Sequence, residues 1–170
     1  LVYIVPFATS VLAAYIVSSA IPSPAGLAQN PEGEIFVTTS GEGCGTQVWR
    51  LPRRADCPEG DDPLTCEGKG YEPAVRVDSE VRINGSRADR LADVKFVPFT
   101  ASQPFSGTKK LTAGDIVVLS YDPPALLRYS NPDECTGSCE PDVVIPPAAF
   151  GCPDPTAVAF SDLGTILIAT

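Results

Sequence analysis

Carboxylates are the first candidates for chemistry in this sequence. Glu59, Asp61 and Asp62 crowd the loop CPEGDDPLTC, and Asp133 and Glu134 fall within NPDEC. Acidic side chains in loops rich in Gly and Pro are the ligands calcium takes. Neither run has the alternating ligands and central Gly of an EF-hand loop, so the preferred reading is a solvated acidic loop. Calcium is kept as the one cofactor to test. Neighbours such as Asp61 and Asp62 point apart along a chain, which does not make a hydrolytic pair. The sequence contains no His. Ser-His-Asp and Cys-His catalysis, His-ligated zinc and the usual haem attachment motif are therefore excluded. GEGCG at 41–45 joins two strand-like segments with no helix after it, so it reads as a turn rather than a phosphate cradle. No catalytic residue is assigned, and the expectation is a protein that is not an enzyme.

Six cysteines stand at Cys44, Cys57, Cys66, Cys135, Cys139 and Cys152. None forms a CxxC pair, which argues against a zinc ribbon. An even number in turn-like surroundings points to disulfides and an oxidising compartment. Expected bridges are Cys57 with Cys66, and two of Cys135, Cys139 and Cys152 with each other. Cys44 then pairs with the remaining cysteine or stays free. The expected location is extracellular, at the cell surface or in the periplasm. Asn84-Gly85-Ser86 is a glycosylation sequon where the source has that machinery.

These residues must be held by some scaffold, and composition says which kind. A chain of 170 residues is one domain's worth, and 44% hydrophobic residues can build a core. Gly (14) and Pro (18) fill 32 positions, too many for a helical protein. The formal charge is −9, with no basic run longer than Arg53-Arg54 or Lys109-Lys110, so nucleic acid is not an expected partner. Residues 1–31 carry no charge, and residues 1–21 are long enough to raise the question of a membrane helix. Pro6, the Val, Ile, Tyr and Thr content and the absence of basic flanks argue against a span or a signal peptide. Two buried strands, at 2–7 and 11–17, are expected there instead. The absence of Met, even at position 1, reads as a chain that starts after the translational start.

Self-comparison organises the rest. AGLAQNPEGEIFVTT at 25–39 aligns without a gap on TAVAFSDLGTILIAT at 156–170. A third copy is interrupted, LADVKFVP at 91–98 and AGDIVVLS at 113–120, so that Gly33, Gly114 and Gly164 share one place. Each copy is a strand, a Gly turn and a second apolar strand, the punctuation of a β-hairpin. QVWRLP at 47–52 then matches ALLRYS at 125–130, placing Arg50 over Arg128 and Trp49 over Leu127. Residues 2–16 fit over 116–130. The units so defined are 1–24 (partial), 25–90, 91–155 and 156–170 (partial). The runs 35–37, 116–119 and 166–169 are expected to be innermost strands, buried on both faces. AVRVDSEVRI at 74–83 is expected to be an exposed fourth strand, and DVVIPP at 142–147 the fourth strand of the next unit. A repeated Arg is expected to pair with a carboxylate between strands, and Trp49 to pack between units. Insertions at 53–73 and 99–112 are expected loops. In the second, Phe99 and Phe105 are either contact residues or tuck beneath it.

The pattern P-x-G-L-A-x-x-P-x-G-x-I-x-V, a polar turn, then x-V-W-R-L resembles blades of a β-propeller, and NHL-type and YncE-like surface repeats in particular. The resemblance covers about 80 residues. It implies an all-β fold of antiparallel strand repeats, an incomplete propeller or a fragment of a larger one. A β-sandwich is the alternative fold. The implied function is a non-enzymatic interaction or structural module of a secreted or surface-anchored bacterial β-propeller. Protein or glycan partners are expected, with more chain or another subunit completing the sheet. One alternative is a subunit of an extracellular filament or envelope complex, in which residues 1–21 add as a strand to a neighbour. Another is a calcium-dependent, lactonase-like propeller hydrolase drawing on Glu34, Asp115 and Thr165 at the starts of the apolar strands.

Overall fold

The computed structural model describes residues 2–4, 15–18, 21–41, 45–56, 70–101, 110–151, 154–161 and 164–170. The protein is all-β, and every sheet is antiparallel. Strands β1 (Val2–Ile4) and β2 (Tyr15–Ser18) pair within the apolar start of the chain, where two strands were expected; residues 5–14 lie outside the described residues. No helix among the described residues is long and apolar enough to cross a membrane.

Two four-stranded sheets follow. The first runs in the order β3 (Pro24–Gln29), β4 (Ile35–Thr39), β5 (Gln47–Leu51), β6 (Val75–Asp78). A small hairpin, β7 (Arg82–Ile83) and β8 (Ser86–Arg87), leads to the second sheet. That sheet repeats the meander with β9 (Arg90–Phe96), β10 (Ile116–Asp122), β11 (Ala125–Tyr129) and β12 (Asp142–Ile145). A last hairpin joins β13 (Ala157–Phe160) to β14 (Ile166–Ala169).

Strand pairing shows how far the units correspond. Gln29 lies opposite Ile35, Phe96 opposite Ile116, and Phe160 opposite Ile166. One strand further, Leu51 faces Ile35 and Tyr129 faces Ile116, while Trp49 faces Val37 and Leu127 faces Val118. β12 occupies the expected fourth place. Both insertions leave their sheets through closed stems. Arg54 N–H donates to the Gly70 carbonyl at 2.8 Å, and Ala101 N–H donates to the Leu111 carbonyl at 2.8 Å.

Three apolar layers hold the sheets in succession. Phe36, Val48 and Val77 of the first sheet meet Ile116, Val118 and Leu127 of the second. The far face of the second sheet, Val117, Leu119 and Leu126, packs on Val158, Phe160, Ile166 and Ile168. The far face of the first sheet gathers Ile35, Val37, Trp49 and Leu51 with Ile21 and Tyr71.

Three expectations need correction. Strands 35–37, 116–119 and 166–169 are not the ones that meet between units. The strands that lie beside one another across units are the first ones, β3 against β9 and β9 against β13. The apolar strands β4 and β10 stand second in their sheets with an apolar layer on each face, which accounts for their continuous hydrophobicity. Ile166 and Ile168 pack on the second sheet but are half-buried, because among the described residues no strand pairs on the outer edge of β14. Residues 74–83 are not one exposed strand. Asp78 Oδ1 accepts the Glu80 N–H at 2.9 Å and bends the chain, so β6 ends there. Val77, Val81 and Ile83 then turn into the layer between the sheets and are buried.

Candidate binding surface

The hairpin turns are built alike, and the Gly positions explain how. Gly33, Gly114 and Gly164 have φ of 85°, 98° and 75°, a left-handed conformation in which a Cβ is strained. Around the first, Asn30 N–H donates to the Glu34 carbonyl, Gly33 N–H donates to the Asn30 carbonyl, and Asn30 Oδ1 accepts the Glu34 N–H at 2.8 Å. Around the third, Ser161 takes every one of these roles, its Oγ accepting the Thr165 N–H at 3.1 Å. In the second unit Val97 N–H donates to the Asp115 carbonyl and Gly114 N–H to the Val97 carbonyl. The turn thus closes across the inserted loop.

Each complete unit follows its turn with an ion pair. Arg128 Nε donates to Asp115 Oδ2 at 2.6 Å, and Arg50 Nη1 donates to Glu34 Oε1 at 3.3 Å. Asp115 and Glu34 occupy the same place after the Gly, so the repeated Arg does pair with a carboxylate between strands. Thr165 holds that place in the last hairpin. These carboxylates are further engaged, Glu34 Oε2 accepting from Asn30 Nδ2 at 3.0 Å and Asp115 Oδ2 from the Thr112 N–H at 2.7 Å.

These turns form one wall of a cleft of about 800 Å³ between the ends of the first two sheets. Phe36, Phe96, Pro98 and Pro132 give it an apolar floor. Glu32 enters from the first hairpin turn, and Asp133 from a 3-10 turn at Pro132–Glu134. Both acids are exposed. Sequence reasoning singled out Asp133 but missed Glu32, Phe96 and Pro98. The available signal was Glu32 itself, a charged residue where the matching turn carries Leu163.

Polar groups also join the two sheets along this seam. Tyr129 OH donates to Asp78 Oδ2 at 2.7 Å, joining the third strand of one sheet to the fourth strand of the other. Burial raises the Asp78 pKa above the usual 3.8, opposed by the Tyr129 and Glu80 hydrogen bonds and reinforced by the charges of Glu80 and Glu140. Burial also pushes the Tyr129 phenol well above its ordinary value. Cys135 and Cys139 form a disulfide whose loop lies along β6. Cys139 N–H donates to the Val77 carbonyl, and Ser79 N–H donates to the Gly137 carbonyl.

A smaller cavity of about 360 Å³ lies where the first strands meet, lined by Ala25, Ala92 and Thr156 at matching places of three units. Arg90 and Tyr121 also line it, the guanidinium 4.7 Å from the ring centroid. Asp93, 8% exposed, ties these strands together: Oδ2 accepts the Val158 N–H at 3.1 Å, and Oδ1 accepts Val94 N–H and Lys95 Nζ.

The other sequence-predicted residues are placed as follows. Asp133 and Glu134 sit on the exposed 3-10 turn. Among the described residues no group of three or more His, Cys, Asp or Glu is arranged to hold a metal ion. Glu59, Asp61, Asp62, Cys44, Cys57, Cys66, Cys152 and Phe105 lie outside the described residues. Phe99 tucks in, its ring 5.3 Å from that of Phe160 in an edge-to-face contact. Trp49 is buried against Ile21 and Tyr71, with the Arg76 guanidinium 4.8 Å from its ring. Asn84 and Gly85 form the exposed two-residue tip of the β7–β8 hairpin. Comparison with protein-family models, with curated proteins and with solved structures returns no match.

Proposed function

We propose that this chain is a non-enzymatic interaction or structural module, part of a β-propeller. The observation that carries the reading is the succession of units. Two four-stranded antiparallel meanders and a further hairpin pack face to face, with their first strands side by side. A β-sandwich needs two sheets and gives no reason for a third layer with the same turn. A propeller supplies one, because blades turned about an axis bring their first strands together. The cavity lined by Ala25, Ala92 and Thr156 then lies on that axis. The Cys135–Cys139 disulfide supports an extracellular, cell-surface or periplasmic location. Partners are proteins or glycans bound on the loops and clefts at sheet ends. The hydrolase alternative is less well supported, since Glu34 and Asp115 are taken up by Arg50 and Arg128.

Assembly by strand addition remains the second reading. Leu167, 54% exposed, lies where Phe36 and Val117 are buried, and among the described residues β14 pairs only with β13. The test of both is an experimental structure of the protein produced from its complete reading frame. The propeller reading expects at least four sheets closing about one axis, with β3, β9 and β13 innermost. Sheets stacked without a common axis would overturn it, and a neighbouring subunit's strand on β14 would favour assembly.

A further inference from the structure

We propose that the cleft between the first two sheets is a docking groove for an extended cationic segment of a partner protein, with Arg or Lys spaced along a proline-rich stretch. The proposal deepens the binding-module reading and rests on it, but does not require the sheets to close a ring.

The floor argues for the backbone of the occupant. Phe96 and Pro98 present rigid apolar surface there, backed by the buried Phe36 and Pro132. Grooves lined by aromatic side chains take polyproline segments, whose low entropy in the free state reduces the ordering cost. The walls argue for its charge. Glu32 and Asp133 stand on different elements, and among the described residues no basic side chain lines the cleft. Among the described residues neither acid has an ion-pair partner, whereas the third acid at the cleft, Glu34, is answered by Arg50. The carboxylates do not converge into a metal-binding group. Acids spread along a groove suit charges spaced along a chain, and each can take an Arg fork in two hydrogen bonds. The long-range field points the same way, since the whole chain carries −9.

Fluorescence anisotropy with the full chain provides the test. The probes are short labelled peptides of alternating Pro-Arg, alternating Pro-Glu and alternating Gly-Arg. Pro-Arg should bind, and Pro-Glu should not. Gly-Arg should bind several-fold more weakly, because it carries the charge without the stiff apolar backbone. Glu32→Gln combined with Asp133→Asn should weaken Pro-Arg binding about tenfold. Asp89→Asn with Asp122→Asn, exposed acids outside the cleft, should leave it unchanged. Equal binding of Pro-Arg and Gly-Arg, or no effect of the Glu32/Asp133 pair, would mean diffuse charge attraction and would overturn the groove. Failure of Pro-Arg to bind a chain that melts cooperatively would overturn it too, while leaving the sheet architecture intact. Failure of the chain to melt cooperatively would remove the packed sheets on which both proposals stand.

Discussion

The seam between the two four-stranded sheets and the seam between the second sheet and the last hairpin begin from one sequence pattern and end differently. At the first, Ile116 and Val118 are fully buried and Phe36 is 1% exposed. At the second, Ile166 and Ile168 are half-buried, while Leu167, which matches Phe36 but lies on the face of β14 turned away from this seam, is 54% exposed. The first seam also has a buried Tyr129–Asp78 hydrogen bond and a disulfide loop laid on β6. The second has the Asp93 carboxylate on the Val158 N–H. The pattern fixes which residues form strands, where the turn falls and which face is apolar. How deep each residue lies depends on the number of strands beside it and sheets above it.

The largest way to break this comparison is to remove Arg128. Its partner Asp115 is 3% exposed, so Arg128→Ala leaves a buried carboxylate unpaired, at a cost of about 3–5 kcal/mol. Arg50→Ala should cost clearly less, because the Glu34 pair is longer and wetter. Urea melts of both variants check the ranking. Next comes the apolar contrast. Ile116→Ala should cost about 2–5 kcal/mol, and Ile166→Ala less than about 2 kcal/mol, in the same melts.

Opening the disulfide should cost less still. Cys135→Ser with Cys139→Ser frees a short loop, worth about 2 kcal/mol by chain entropy. Hydrogen exchange should show the loss on β6 and not on β13.

The seam also predicts a pH dependence. The folded Asp78 pKa lies above the unfolded 3.8, so the folded state holds an extra proton in between. Stability is then greatest below the unfolded value and falls as pH rises through the folded one. Wild-type protein should lose stability over that window relative to Asp78→Asn, in thermal melts taken at successive pH values. Tyr129→Phe should cost about 1–2 kcal/mol above it, where Asp78 loses its donor. The smallest effect belongs to Leu167→Ala, within about 0.5 kcal/mol of wild type.

Much of the architecture could be read directly. Gly33, Gly114 and Gly164, each followed by an apolar run, marked three hairpins, and all three have the positive φ that a tight turn requires. Arg50 and Arg128 marked the carboxylate pairs because they recur at one place. Features formed between units were not legible. Asp78 and Tyr129 are 51 residues apart, and nothing in either's surroundings names the other. The cleft joins Glu32 to Asp133 only once two sheets have packed. Which strands meet between units was misread because continuous hydrophobicity reports a strand covered on both faces, not one lying beside its neighbour in the next unit. Val81 and Ile83 kept the alternation of a strand although the chain bends at Asp78.

Equivalence of the units is the claim on which the rest depends, and transplanting a turn tests it most directly. Residues 30–33, Asn-Pro-Glu-Gly, are replaced by Ser-Asp-Leu-Gly from residues 161–164, keeping Glu34 for Arg50. Ser Oγ should accept the Glu34 N–H as it accepts the Thr165 N–H in the last hairpin. Losing the Asn30 Nδ2 bond to Glu34 should cost about 1 kcal/mol. Differential scanning calorimetry should then show one cooperative transition, lowered by about 2–4 °C. Loss of the cooperative transition, or a fall of tens of degrees, would show that the turns are not interchangeable and would contradict the repeat.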